Sequence, residues 1–374
     1  MLYKNAKLFL DDRFAPGSFR VENGIFTEIL ESIPEEDGVD LQGATVLPGL
    51  VDIHTHGNSG ADFSDGSDEG LRTMARYLAR HGVTSFAPTS MTLPYETLAR
   101  AFATGRRLAD EQPAGHARVM GIHMEGPYFS EKKKGAQNAA YLRLPDVEGF
   151  QALYEGCGGL IRIADVAAEL EGAECFAAEV SRLCKVSVAH TDADYEAACR
   201  VFDAGAGHVT HLFNAMPPLH HRKPGVIGAA AEREGVVAEL ICDGLHVHPS
   251  VMRAAFRLFP DRICIISDSL RCCGMPDGEY ELGGQQVYLK GRLATLADGT
   301  IAGSASNLYD CLLTAIRSGI PAETAVRSAT LLPARELGCA DRIGSIAPGK
   351  LADFVVCRAD LTPKAVFLGG EEVK

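Results

Sequence analysis

The chain has 374 residues, 46% hydrophobic and 23% charged, with 49 Asp and Glu against 36 Lys and Arg and a formal charge of −13. That length allows one large α/β barrel, or two ordinary domains, with a sizeable core. The acidic balance argues against a nucleic-acid or anionic-membrane partner, since either needs a basic surface; an anionic small molecule would need a few local cations.

The opening stretch MLYKNAKLFLDDRF carries Lys4 and Lys7 but no long apolar core and no small-residue cleavage site, so no signal peptide is expected. No uncharged apolar run approaches the roughly 18 residues of a membrane span. The 11 cysteines are scattered, with Cys272 and Cys273 adjacent and no CxxC pair. They predict reduced, mostly buried thiols in a cytoplasmic protein, not a disulfide framework or a Cys-rich zinc finger.

Residues 1 to about 45 predict short strands and turns, as in LFLDDRF and RVENGIFTEI. From Thr45, short apolar runs alternate with amphipathic stretches, the mark of βα units around a parallel sheet. The predicted strands are TVLPGLVDIHTH, VTSFAPTS from Val83, RVMGIHMEGP from Arg118, LIRIADVAAE from Leu160, KVSVAHT from Lys185, HVTHLFNAM from His208, VVAELICDGLHV from Val236 and RICIISDSL from Arg262. Between them, DEGLRTMARYLARHG, PYETLARAFATGRRLADE, AECFAAEVSRLC and PSVMRAAFRLF repeat apolar residues at helical spacing. Such alternation over roughly 250 residues predicts a (β/α)8 barrel of the TIM type. Residues 274–302 contain alternating strands and the turn signal Asp298-Gly299, read as a hairpin insertion after the eighth strand. The tail from about 342 returns to short strands. Chain ends often lie close together, so the two β-rich ends can pair. The expected organisation is a small β-sandwich domain from residues 1–46 and 344–374, and a barrel over 47–343.

In such a barrel the working residues sit at the C-terminal ends of the strands. His54 and His56 end the first strand, and period-two alternation puts both rings on one face. Glu125 ends the third strand, His190 the fifth and Asp268 the eighth, and the sixth carries His211. Alone, each has an ordinary explanation: a hydrogen-bonded histidine, a capping or ion-paired glutamate, an Asx-turn aspartate. Together, imidazoles and carboxylates at strand tips form a ligand set for zinc, iron or another divalent ion of the first transition row. His123 shares Glu125's face and is expected to hold the glutamate or a ligand from behind. His81 lies at an expected helix end, and His116 reads as loop. HHRK places His220, His221, Arg222 and Lys223 in the loop after the sixth strand. It reads either as a solvated basic loop or as a phosphate clamp, since an arginine fork matches two oxygens. Lys132 to Lys134 read as solvated surface.

The chain resembles the amidohydrolase superfamily in PGLVDIHTHG and GSIAPGKLADFVV. Within it, HMEGPY, AHTDA, THLFNAM, RKPG, CDGLHV, SDSLR and LADGTIAGS resemble the N-acetylglucosamine-6-phosphate deacetylases, in the family's order and across nearly the whole chain. The resemblance implies a metal-dependent barrel with a small β domain built from both ends, and a homodimer. It implies one or two divalent metals per subunit, zinc first, with iron or manganese as alternatives. Glu125, His190 and His211 are implied ligands of one metal. His54 and His56 are implied ligands of a second, with Glu125 bridging. Many relatives in the superfamily carry a carboxylated lysine at the tip of the fourth strand; this chain has none there.

The implied substrate is a small phosphorylated amino sugar. Arg222 is its implied phosphate ligand, reaching into the neighbouring subunit's site. Asn214, the backbone amide of Ala215, and His246 are implied sugar or phosphate contacts. Gln137 stands where some members have a histidine that polarises the acyl carbonyl; glutamine can donate a hydrogen bond but carries no charge. Amide hydrolysis also needs a group that takes the water's proton and passes it to the amine, and Asp268 is the implied one. Three other readings compete. One is an N-acetylgalactosamine-6-phosphate deacetylase, differing by one hydroxyl. Another is a cyclic amidase of the dihydroorotase or hydantoinase type, which usually shows the bridging lysine. The third is a scaffold barrel that has lost its metal ligands, which this chain has not.

Overall fold

Strands from both ends of the chain meet in one eight-stranded sheet of the computed structural model, which describes all 374 residues. Its order is Glu371–Glu372, Pro363–Leu368, Phe354–Cys357, Thr45–Pro48, Leu2–Leu10, Arg13–Glu22 and Ile25–Leu30, with Val39–Asp40 also paired to Leu2–Leu10. Phe354 faces Pro48 across an antiparallel ladder, which ties the tail to the residues just ahead of the barrel. The sheet is not flat. Four strand spacings separate Ile25–Leu30 from Phe354–Cys357. In a flat sheet that is about 19 Å, yet the rings of Phe26 and Phe354 are 6.1 Å apart. The sheet therefore folds over on itself, as a sandwich, around Tyr3, Leu8, Phe19, Phe26 and Phe354.

The second sheet is the barrel. Its strands are Leu50–Thr55, Val83–Ser90, Ile122–Met124 with the short Arg118–Val119 before it, Ile161–Val166, Lys185–Val188, His208–Val209, Val237–Ile241 and Ile263–Ile266, paired in parallel in that order. The ring closes at its C-terminal rim. There the amide of Asp268 donates to the carbonyl of His54 at 2.9 Å, and the amides of His56 and Gly57 both donate to the carbonyl of Ser269. Closure thus brings the first and eighth strand ends side by side, and with them His54, His56 and Asp268. The helices lie outside. Asp68–Arg80 buries Leu71, Met74, Ala75 and Leu78 at the spacing its sequence predicts, and Ser67 caps it by accepting from the amide of Gly70. No helix is long and apolar enough to cross a membrane. All the cysteines are free and most are buried.

Three elements differ from the sequence reading. TVLPGLVDIHTH is two strands that break at Gly49: Thr45–Pro48 joins the small sheet and Leu50–Thr55 the barrel. Gly49 crosses Thr84 so closely that a Cβ would lie 2.0 Å from its Oγ1, so only glycine fits the crossing. The sixth strand stops at Val209, and His211 lies beyond it in the turn. The insertion is a three-stranded meander, not a hairpin: Gly278–Leu282, Gln285–Lys290 and Leu293–Thr295. Its third strand is three residues long and carries too little alternation to be legible alone. Leu282, Val287, Leu289 and Ala294 pack with Met91 and Leu270, and this apolar contact seats the meander against the barrel mouth.

Candidate active site

His190, His211 and Asp268 each leave a strand in left-handed backbone, with φ of 43°, 31° and 49°. A side chain in that region costs about 1–3 kcal/mol, and such strain gathers at functional sites. Here it turns the chain sharply at the rim, so that the three side chains lie over the barrel mouth. Glu125 is placed by its neighbour. Gly126, at φ 92°, passes Thr92 where a Cβ would come within 2.2 Å of the Thr92 Oγ1.

The strand-end residues converge on Glu125. Its Oε1 lies 3.1 Å from His190 Nε2 and 3.0 Å from His211 Nε2. Its Oε2 lies 3.3 Å from His56 Nε2. His54 Nε2 is 3.7 Å from Oε1. Asp268 Oδ1 sits 3.2 Å from His56 Nε2 and 3.5 Å from His54 Nε2. All six side chains are buried.

The orientation of the rings says what belongs between them. His54 Nδ1 is 2.8 Å from Glu239 Oε2, His56 Nδ1 is 3.1 Å from the Thr89 carbonyl, and His190 Nδ1 is 2.9 Å from the Lys133 carbonyl. Each acceptor fixes the proton on Nδ1, so a neutral ring keeps its lone pair on Nε2. The Nε2 atoms face one another: 3.3 Å separates those of His54 and His56, and 3.2 Å those of His190 and His211. They also face carboxylate oxygens. Such a cluster repels itself unless a cation sits within it. Two sets, Glu125–His190–His211 and His54–His56–Asp268, each bring their ligand atoms within 4.8 Å of one another. Imidazole and carboxylate donors in this arrangement fit a divalent metal ion. The acidities carry the same tension. Burial opposes ionisation of Glu125, but protons on the Nε2 atoms of His190, His211 and His56, standing where a metal would, hydrogen-bond it, outweigh burial and hold the carboxyl well below its usual range. Asp268 is likewise buried, and His54 and His56 hold it below the ordinary aspartate value.

A second layer fixes these groups. His123 bonds the Ile53 carbonyl at 3.0 Å and Asp165 at 2.9 Å, and its ring packs on His54 with centroids 4.6 Å apart. Glu239 was not legible in the sequence. It is one carboxylate inside the apolar run VVAELI, on the strand Val237–Ile241. The only signal was that lone charge, and its partner His54 is 185 residues away.

The other predicted contacts are spread unevenly. Gln137 is buried against Glu125: its Nε2 donates to Glu125 Oε2 at 2.7 Å, while its carbonyl accepts from the Thr92 amide at 2.8 Å. Asn214 and Ala215 line the cleft above the cluster, with the Asn214 amide donating to the carbonyls of His211 and Leu212. His246 lines it as well, held by Asp243 at 2.8 Å. Leu282, Thr300 and Ile301 add a wall from the insertion and its exit. Arg222 does not line this cleft; it is exposed, with its guanidinium 2.7 Å from His221. No lysine or arginine lines the cleft at all. Lys132 and Lys133 pair with Asp192 outside it.

The amidohydrolase family profile matches residues 45–373. The chain is 40% identical to N-acetylglucosamine-6-phosphate deacetylase of Bacillus subtilis (strain 168), over 85% of this chain and 81% of that one. It is 33% identical to N-acetylgalactosamine-6-phosphate deacetylase of Escherichia coli O157:H7, over 97% and 95%. The fold superposes with a TM-score of 0.94 on N-acetyl-D-glucosamine-6-phosphate deacetylase of Mycobacterium smegmatis, at 32% identity, covering 100% of both chains. With strand-tip imidazoles and carboxylates gathered at the mouth of a (β/α)8 barrel, and likeness of this extent along its length, the chain belongs to the amidohydrolase family.

Proposed function

We propose that this chain hydrolyses the N-acetyl group of N-acetylglucosamine-6-phosphate, yielding glucosamine-6-phosphate and acetate. One observation carries the reading: both oxygens of Glu125 face imidazoles, with Asp268 in reach of the same cluster. Relatives of that activity, alike over most of the chain, supply the substrate. In this reading Glu125, His190 and His211 would hold one divalent metal, and His54 and His56, with Glu125, a second. Zinc suits the donor set, and iron or manganese accept the same ligands. When bound, the metal supplies Lewis acidity, lowering the pKa of water from about 15.7 towards 7 and polarising the acyl carbonyl.

The protein's own groups do the rest. Asp268 accepts the proton of the attacking water as the new C–O bond forms. It returns that proton to the amide nitrogen as the C–N bond breaks. Gln137 holds Glu125 by its Oε2. Asn214, the Ala215 amide and His246 face the cleft as contacts for the sugar phosphate. A phosphate still needs a permanent cation, and no lysine or arginine lines the cleft. Arg222 of the partner subunit meets that need if the protein is a homodimer, with its loop reaching across. Free cysteines suit a reducing cytoplasm. A cyclic amidase fits less well, because Ala167 and Ala168 follow the strand Ile161–Val166 where a bridging lysine would stand.

The test is kcat/KM for N-acetylglucosamine-6-phosphate, its galacto epimer and unphosphorylated N-acetylglucosamine in one assay. The expected preference for the phosphorylated glucosamine is about a hundredfold or more over the free sugar, or roughly 2.7 kcal/mol. Comparable rates with and without phosphate would remove the Arg222 clamp. A faster galacto epimer would move the assignment to that substrate. No turnover by metal-loaded protein would overturn the reading.

A further inference from the structure

The barrel core below the site holds charge where such barrels normally hold Val, Ile and Leu. Glu239 is fully buried and joins two levels of the structure. Above it, its Oε2 takes the Nδ1 of His54 at 2.8 Å and the backbone amide of His211 at 3.2 Å. Below it, its Oε1 lies 3.3 Å from His208 Nε2. His208 Nδ1 lies 2.9 Å from Glu336 Oε2. Glu336 closes the helix Leu331–Glu336, whose Leu332 and Ala334 pack with Val51, Ile53 and Ile163 as a plug in the barrel. Its other oxygen is 3.6 Å from the partly exposed ammonium of Lys185, at the start of a strand. The result is one chain of polar contacts, His54–Glu239–His208–Glu336–Lys185, from the barrel mouth to its opposite end.

We infer that His208 and Glu336 are positioning residues for the His54 side of the active site, acting through Glu239 across the barrel core. The physical reason is charge. Glu239 accepts the Nδ1–H of His54 at 2.8 Å, which leaves Nε2 with its lone pair for a metal. An ionised carboxylate in this core is costly without cationic rings beside it, and His123, with Nδ1 3.6 Å from Oε1, and His208 both face Glu239. His208 faces a carboxylate from each ring nitrogen, and both of its N–H groups then donate. That is the bonding pattern of an imidazolium. Burial works against the charge, but the hydrogen bonds to Glu239 and Glu336 outweigh it and lift the ring to about 9. His208 is the one link between Glu239 and Glu336. Glu336, rooted in the plug, fixes where that link sits.

The inference rests on His54 holding a metal, and the test separates the two. Protein loaded with cobalt(II) is titrated with a chelator, and both the bound equivalents and the visible cobalt spectrum are followed. For His208→Gln, the equivalent held by His54 is expected to leave at about 10- to 100-fold lower chelator concentration than in the wild type. Its spectrum should shift, and KM should stay within about twofold. Glu336→Gln, nearer the surface, should show a smaller loss of the same kind, and it carries the test alone if His208→Gln does not fold. Unchanged retention in folded variants would overturn the inference. So would equal weakening of both equivalents, which is what a generally loosened barrel gives. A wild type that binds only one equivalent would remove the two-metal reading itself.

Discussion

Asp268→Asn is expected to keep its metal and its KM within a few-fold while kcat falls about 10³-fold, or roughly 4 kcal/mol. Asparagine matches aspartate in shape, so the closure bond from the residue 268 amide to the His54 carbonyl stays in place. What it cannot do is accept a proton. In the proposed reaction the same carboxylate handles that proton twice, first from water and then to the amine. The loss should therefore fall on turnover and not on binding. The wild-type aspartate is placed for the first transfer, with its Oδ1 3.2 Å from His56 Nε2 at the edge of the same cluster. The check is steady-state kinetics together with metal analysis on the same preparation. A variant with near-normal kcat would take the proton-transfer role from Asp268.

Glu125→Gln should have an effect at least as large, and of another kind. Each oxygen of Glu125 has its own company: His190 and His211 at Oε1, His56 and the Gln137 amide at Oε2. A glutamine there turns one oxygen into an NH₂ group. If that group faces Gln137, two donors meet. If it faces His190 and His211, a donor replaces the anion between two ring nitrogens. Either way the cluster loses a full negative charge at its centre. The expected result is metal content well below one equivalent after dialysis and a fall in kcat/KM of about 10³-fold or more. Metal added to the wild-type apoprotein should raise its Tm, because a ligand that binds only the folded state stabilises it. That rise should largely vanish in Glu125→Gln. A variant that binds metal with wild-type stoichiometry would remove Glu125 from the ligand set.

Both expectations concern residues that stand out in the sequence, and the reason is periodicity. Strand alternation sets His54 and His56 on one face, and barrel logic puts Glu125, His190, His211 and Asp268 at the rim, because each follows an apolar run at a strand's end. The helix Asp68–Arg80 is legible in the same way, from apolar spacing and a serine cap. These are local signals, carried within a dozen neighbouring residues. The meander is only partly legible, since a three-residue strand has almost no pattern of its own. The break at Gly49 is hidden because its cause, the side chain of Thr84, lies on another strand.

By itself, then, the sequence determined the βα alternation, the β-rich ends and the rim residues, since hydrophobic period and turn chemistry act between near neighbours. Only the tertiary structure decided how these meet. It folded the terminal sheet over until Phe26 reached Phe354. It turned the ring nitrogens of four histidines inward on one glutamate, and it left Arg222 outside the cleft. It also set Glu239 beneath His54, and His208 and Glu336 beneath Glu239. A lone carboxylate in an apolar run looks like an interruption when read in one dimension. Its partners stand on other strands, and its burial becomes tolerable only when closure of the barrel brings their charges beside it.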